Sequence, residues 1–162
     1  MSTHESRTNP TQSEGVRNLS PEDAWDRTRT MVVGRLAFSG GDRIELFPIN
    51  YLVDRGTVLF RTAPGTKLAA SMEHLPVVFE VDGYEAEANE AWSVVVHGVL
   101  EPVLDTSEIV EAVALPLFPW QSGEKAFFVR IVPAEVTGRQ FRVADPSRWV
   151  SQFTGGPRAS AE

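Results

Sequence analysis

Residues Phe60-Arg61-Thr62-Ala63-Pro64-Gly65-Thr66-Lys67-Leu68 gather two cations and two hydroxyls within one tight reversal of the chain. The apolar run Thr57-Val58-Leu59-Phe60 leads in, Pro64-Gly65 turns it, and Thr66-Lys67-Leu68-Ala69-Ala70 restarts as a helix. The first N–H groups of a helix have no internal partner and favour an anion. Arg61 can grip a phosphate through a bidentate fork and Lys67 adds a point charge. Thr62 and Thr66 bring hydroxyl donors. The same residues also suit a capped turn carrying two solvated cations.

Other chemistry is scarce. The chain has no cysteine, which excludes disulfides, thiolate metal sites and a Cys nucleophile and suits a cytoplasmic protein. His4, His74 and His97 lie far apart, none has a second histidine at metal-ligand spacing, and His97 reads as an outward-facing strand residue. No metal site is expected. Ser93 follows Trp92 at a strand start without an activating His or acid beside it. Glu80 and Asp82 share one face of a strand, and Glu85, Glu87 and Glu90 read as a solvated loop, so no acid–base pair emerges. No side chain is assigned a catalytic role. Chemistry without such groups usually belongs to a bound cofactor.

The bulk properties narrow the partners. A net charge of −7 argues against nucleic acid or an anionic membrane surface. No apolar run has the length of a membrane span, and the polar start lacks a signal-peptide core. An anion site on an acidic chain therefore points to a small phosphorylated molecule rather than a polymer. The 162 residues, 42% apolar and 23% charged, fit one domain.

The elements that must position the turn follow from patterning. Residues 1–18 and 154–162 are polar or glycine-rich and read as disordered tails around a domain spanning 19–153. Ser20-Pro21-Glu22-Asp23 starts a helix running to about Thr30. Strands are expected over Val32–Phe38, Ile44–Val53, Thr57–Arg61, Val77–Val81 and Trp92–Val103, the last with a bulge at Gly98. Phe127–Val132, interrupted by Pro133, and Glu135–Phe141 complete the set. Helices are expected over Thr66–Glu73 and Ser107–Ala114. These strands are too closely spaced for βαβ crossovers, and no glycine-rich dinucleotide fingerprint follows any of them. The fold class is mainly β, an antiparallel barrel of about six strands with a few short helices.

An ordered set of motifs carries a resemblance. Gly34-Arg35-Leu36-Ala37-Phe38, Pro48-Ile49-Asn50-Tyr51, Phe60-Arg61-Thr62, Gly65-Thr66-Lys67-Leu68, Phe79-Glu80-Val81-Asp82-Gly83, Trp92-Ser93-Val94-Val95-Val96-His97-Gly98 and Pro119-Trp120 together resemble the pyridoxamine 5′-phosphate oxidase-like family, in its small actinobacterial form. The resemblance covers roughly Ser20 to Arg139. It implies an FMN-binding split β-barrel acting as a homodimer, with the cofactor at the subunit interface. Carried over by position, Arg61, Thr62, Thr66 and Lys67 look like ligands of the FMN phosphate and ribityl chain. Pro48, Ile49 and Asn50 look like the wall facing the ring edge. Trp92 and Ser93 match the segment approaching the ring, and Trp120 with Gln121 matches one reaching the partner's flavin. For Trp92 and Trp120, core or dimer packing is the competing use.

The pattern departs from the family at one place. Pyridoxamine-phosphate oxidases carry an Arg-x-His substrate element near the C-terminus, which Glu135-Val136-Thr137-Gly138-Arg139-Gln140-Phe141 lacks. Pyridoxamine phosphate is therefore not expected as the substrate. The expectation is an FMN-dependent oxidoreductase acting on a small molecule. A deazaflavin-dependent reductase and a non-catalytic flavin carrier or sensor are the alternatives. The apolar run Leu115-Pro116-Leu117-Phe118-Pro119-Trp120 adds support for the homodimer, since such a loop surface wants a partner.

Overall fold

Residues alternate between core and solvent along most of the chain, the period-two signature of a half-buried sheet. In the strand Glu90–Pro102, for example, Trp92, Val94, Val96, Gly98 and Leu100 are buried while the residues between them are less so. A computed structural model describes residues 15–120 and 122–144. Its elements in chain order are β1 (Val16–Leu19), α1 (Pro21–Arg29), β2 (Val33–Gly40), β3 (Arg43–Asp54), β4 (Thr57–Thr62) and α2 (Thr66–Met72). There follow β5 (Pro76–Glu85), β6 (Glu90–Pro102), α3 (Thr106–Val113) and β7 (Phe127–Arg142).

All pairings are antiparallel, in the order β1-β7-β4-β3-β2-β5-β6, and β6 pairs back onto β7. Strands β2 to β7 thus form a closed six-membered ring, which is the expected barrel. Closure removes most of the free edge that an open sheet would expose, leaving the distal half of β7 open on one side. Strand β1 is a seventh member, added to the distal half of β7. Its residues Val16–Asn18 fall within the stretch expected to be a tail. Four residues with little apolar pattern give no strand signal by themselves; the free edge of β7 supplies their hydrogen bonds. Most of the expected N-terminal tail (residues 1–14), the last residues of the expected domain (145–153) and the whole expected C-terminal tail (154–162) lie outside the described residues.

β7 is continuous through Pro133 where an interruption was expected. His97 pairs with Glu135 but Gly98 pairs with Pro133, so Ala134 is an extra residue on β7 and the ladder bulges there. A bulge accommodates a proline that cannot donate to the ladder. Gly98 is demanded by the same feature, because a Cβ there would lie 2.2 Å from the Val132 carbonyl oxygen.

Two apolar clusters fill the molecule. The larger, inside the ring, includes Leu36, Phe60, Phe79, Val94 and Val96. The smaller lies outside, where Leu59 and Phe128 are covered by Val103, Ala112 and Leu117. Helix α3, capped by Asp105 accepting from the Ser107 and Glu108 N–H groups at 2.9 and 3.2 Å, is therefore pinned on the outer face of β4 and β7. Arg130 fastens it to the β3–β4 hairpin, reaching Asp54 at 2.8 Å and Thr57 Oγ1 at 2.9 Å, with Glu108 at 3.9 Å. At the other end, Ser20 caps α1 and the buried Tyr51 hydroxyl donates to the Thr28 carbonyl at 2.5 Å. Burial pushes the Tyr51 hydroxyl well above its ordinary pKa, so it remains a donor throughout the physiological range.

Replacing Gly98 with alanine forces backbone apart at the bulge. Gly98→Ala is expected to cost about 1–3 kcal/mol, read as a lower urea midpoint with unchanged slope. An unaltered midpoint would contradict the tight approach.

Candidate anion and cofactor pocket

The outward face of the barrel is where the sequence-predicted residues meet. On β3, Pro48 and Asn50 point away from the core that holds Tyr51, and on β4 Arg61 points away from the core that holds Phe60. Tyr51 and Phe60 are paired across the two strands, so Asn50 and Arg61 flank that pair on one face. Gly65 then turns the chain with φ +153°, in a region open to glycine, and α2 begins at Thr66. No side chain caps α2. Lys67 in its first turn comes to lie 4.2 Å from the centre of the Phe47 ring.

These groups enclose a cavity of about 220 Å³. Val33, Pro48, Ile49 and Asn50 line one side, and Leu117, Pro119 and Trp120 another. Three cations face the same space: Arg61, Lys67 and Lys125. Arg61 Nε donates to the Lys125 carbonyl at 3.0 Å and its guanidinium lies 5.1 Å from the Phe128 ring centre. The far side of the loop is held by Trp120, whose backbone N–H donates to Asn50 Oδ1 at 3.0 Å.

Two features of the cavity ask for a ligand. Among the described residues, no carboxylate lines it and none of its three cations forms an ion pair. Arg27, Arg29, Arg35, Arg43, Arg55 and Arg130 each face an acid instead. The second feature is Asn50 Nδ2, which is buried and has no partner among the described residues. Leaving a buried amide donor unpaired costs about 1–3 kcal/mol. A molecule with an anionic end and a carbonyl acceptor would satisfy both. Burial, and secondarily the charge of Lys125, holds the Lys67 ammonium below its ordinary pKa, so this pocket strains against its own charge.

Six of the predicted site residues therefore share one cavity: Pro48, Ile49, Asn50, Arg61, Lys67 and Trp120. Thr62 does not line it; its hydroxyl is turned to the Ala63 carbonyl at 3.1 Å. Thr66 is exposed and lines a neighbouring hollow with Ser39, Gly40 and Glu73. Trp92 is buried in the main core with Arg27 over its ring at 5.8 Å, and the half-buried Ser93 sits between Asp82 and Arg139 in the ladders. Neither lines the cavity. Gln121 lies outside the described residues. Lys125 is the residue that sequence reading missed, since Ser122-Gly123-Glu124-Lys125 looks like any polar loop until Arg61 fixes its backbone.

Comparison with known proteins agrees with the fold. The family model described as pyridoxamine 5′-phosphate oxidase matches residues 20–140, most of the chain. The chain belongs to the pyridoxamine 5′-phosphate oxidase-like family. Among solved structures, it is similar to a pyridoxamine 5′-phosphate oxidase-like protein of Corynebacterium glutamicum, with 34% identity, TM-score 0.71, and 83% of this chain and 100% of that one covered. It is also similar to an FAD-binding protein of Mycobacterium smegmatis, with 36% identity, TM-score 0.67, and 78% and 98% covered. A Mycobacterium tuberculosis protein is 38% identical over 98 residues, 60% of this chain and 87% of that one. The split-barrel expectation thus holds, and flavin binding occurs among the structural relatives. No helix among the described residues is long and apolar enough to cross a membrane.

The strain at Lys67 has a measurable sign. A lysine whose folded pKa lies below its unfolded value leaves the unfolded chain binding more protons between the two, so it disfavours folding at neutral pH and ceases to as pH rises toward 10.5. Lys67→Met is therefore expected to raise the melting temperature of flavin-free protein at pH 7, with the gain shrinking as pH rises toward the lysine range. A variant that melts lower at pH 7 would contradict a charge-strained pocket.

Proposed function

We propose that this protein is a flavin-dependent oxidoreductase whose cofactor phosphate is held by Arg61 and Lys67 and whose ring edge meets Asn50. The observation that carries the reading is the cavity that combines unpaired cations with an orphaned amide donor. Those are the two recognition elements that a phosphorylated flavin requires, a dianion grip and a donor for a ring carbonyl. Bound there, the flavin supplies hydride or electron transfer, chemistry that no side chain of the pocket provides.

The residues of this chain do the rest. Arg61 and Lys67 anchor the anionic end with charge-assisted hydrogen bonds. Asn50, held by the Trp120 N–H, presents its second amide atom as a fixed donor, and such a preorganised dipole favours electron density arriving beside it. Val33, Leu117 and Pro119 keep part of the wall apolar. The substrate is read as a small molecule other than pyridoxamine phosphate, because Glu135–Phe141 lacks the Arg-x-His element and is committed to the β-ladders.

FMN is the cofactor of first choice, since a terminal phosphate suits cations clustered at one end of a pocket. FAD is the second reading, favoured by the binding described for the M. smegmatis relative. A homodimer fits both. The cavity of about 220 Å³ falls short of the ~300–1,000 Å³ typical of ligand sites, so one protomer supplies only part of the wall. Beside it, Ile44 and Leu46 on β3 are 79% and 64% exposed, and Phe118 and Trp120 at the rim are 77% and 72% exposed. A second copy would cover this surface and complete the enclosure.

Each charge-assisted contact contributes about 1.5–3 kcal/mol, so removing two should weaken FMN at least ~100-fold. Arg61→Ala with Lys67→Ala is expected to leave far-UV dichroism intact and to abolish quenching of FMN fluorescence at concentrations that saturate the natural chain. Full FMN occupancy in the double variant would sink the assignment. Turnover is tested separately, by reducing loaded protein with NADH or NADPH and following reoxidation by a substrate panel. Bound pigment that neither donor reduces and no acceptor reoxidises would favour a carrier.

A further inference from the structure

We propose that Lys125 is a third phosphate-binding cation of this pocket, coupled to Lys67 so that loading of a phosphorylated flavin takes up protons. The inference rests on the flavin reading above and adds to it a ligand and a form of regulation. Lys125 comes from the chain between α3 and β7, not from the turn that carries Arg61 and Lys67. Its place is fixed through its own backbone, because Arg61 Nε holds its carbonyl at 3.0 Å. One phosphate ligand thereby positions another. Arg61 uses Nε for this bond, and its terminal amino groups form no hydrogen bond among the described residues.

Among the described residues, the charged groups that line the cavity with Lys67 are all of one sign. Lys125 acts on it from the α3–β7 connection and Arg61 faces the same cavity from β4. The groups lining the cavity from β2 and β3 (Val33, Pro48, Ile49 and Asn50) are neutral, and Glu73 of α2 lines a different hollow. Burial against Phe47 and repulsion by Lys125 both favour a neutral Lys67 in the empty pocket. A phosphate dianion reverses that balance by sitting between the two amines. Binding then favours the protonated Lys67, and affinity must fall as pH rises through the range where the empty pocket loses that proton.

The test compares FMN with riboflavin, which shares the ring and its ionisation but has no phosphate. Dissociation constants are measured by fluorescence quenching from about pH 7.5 to about pH 10, a span that reaches toward the ordinary lysine value. In the natural chain the preference for FMN over riboflavin should be large at the lower pH and shrink as pH rises. Lys125→Gln should lower that preference about tenfold at pH 7.5 and move its decline to higher pH, with riboflavin affinity unchanged as a control for folding. Lys67→Arg, which cannot lose its charge, should flatten most of that decline. An FMN preference that is pH-independent in the natural chain, or unaltered by Lys125→Gln, overturns the inference while leaving the flavin reading intact. Failure of the natural chain to bind either flavin at any pH overturns both.

Discussion

Closure of the ring through the β6–β7 ladder is the constraint on which the remaining structure depends. Thirteen pairs join these strands, from Glu90–Arg142 to Pro102–Val129, and without them β6 would be a free edge. The other edge of β7 is divided: its first residues pair with β4 and its last with β1. One strand thus fixes both ends of the barrel. The bulge at Ala134 lets so long a strand turn from one set of partners to the other, and Gly98 lets the partner backbone come close enough. Because β4 is held by β7 on one side and β3 on the other, the outward side chains Asn50 and Arg61 stand at fixed positions on adjacent strands.

The pocket sits where the barrel's outer face is only partly covered. Helix α3 and the chain after it shield Leu59 and Phe128, and the same chain then passes Asn50 and Arg61. An acidic molecule here assembles three cations without a neutralising carboxylate among the described residues. Burial, and after it the charge of Lys125, lowers the basicity of Lys67 in the empty pocket. Local instability of this kind is common at functional sites. Elsewhere the same chain pairs its charges: Arg35 lies between Glu80 and Asp82 at 2.8 and 3.0 Å, which explains why those two acids on one strand form no acid–base dyad.

Much of this was legible in the sequence because alternation is a local property. Val94-x-Val96 and Phe79-x-Val81 mark their faces directly, and the turn at Pro64-Gly65 marks the place of the cations. What could not be read depends on distant partners. Strand β1 exists because β7 offers an edge, and Pro133 stays in a strand because a bulge opposite Gly98 absorbs it. Lys125 joins Arg61 across 64 residues of sequence through a backbone carbonyl, a contact that leaves no residue-type signal. Trp92 shows the reverse limit: a motif match placed it toward a ring system, and in the structure it packs in the core under Arg27.

The central claim is that Arg61 and Lys67 anchor a phosphorylated flavin. It is tested most directly by releasing the pigment from protein produced with ample riboflavin and determining its mass and molar ratio to protein. The account predicts a flavin bearing phosphate, at about one per chain. Protein that takes up no flavin, or that retains riboflavin in preference to its phosphate, would contradict it.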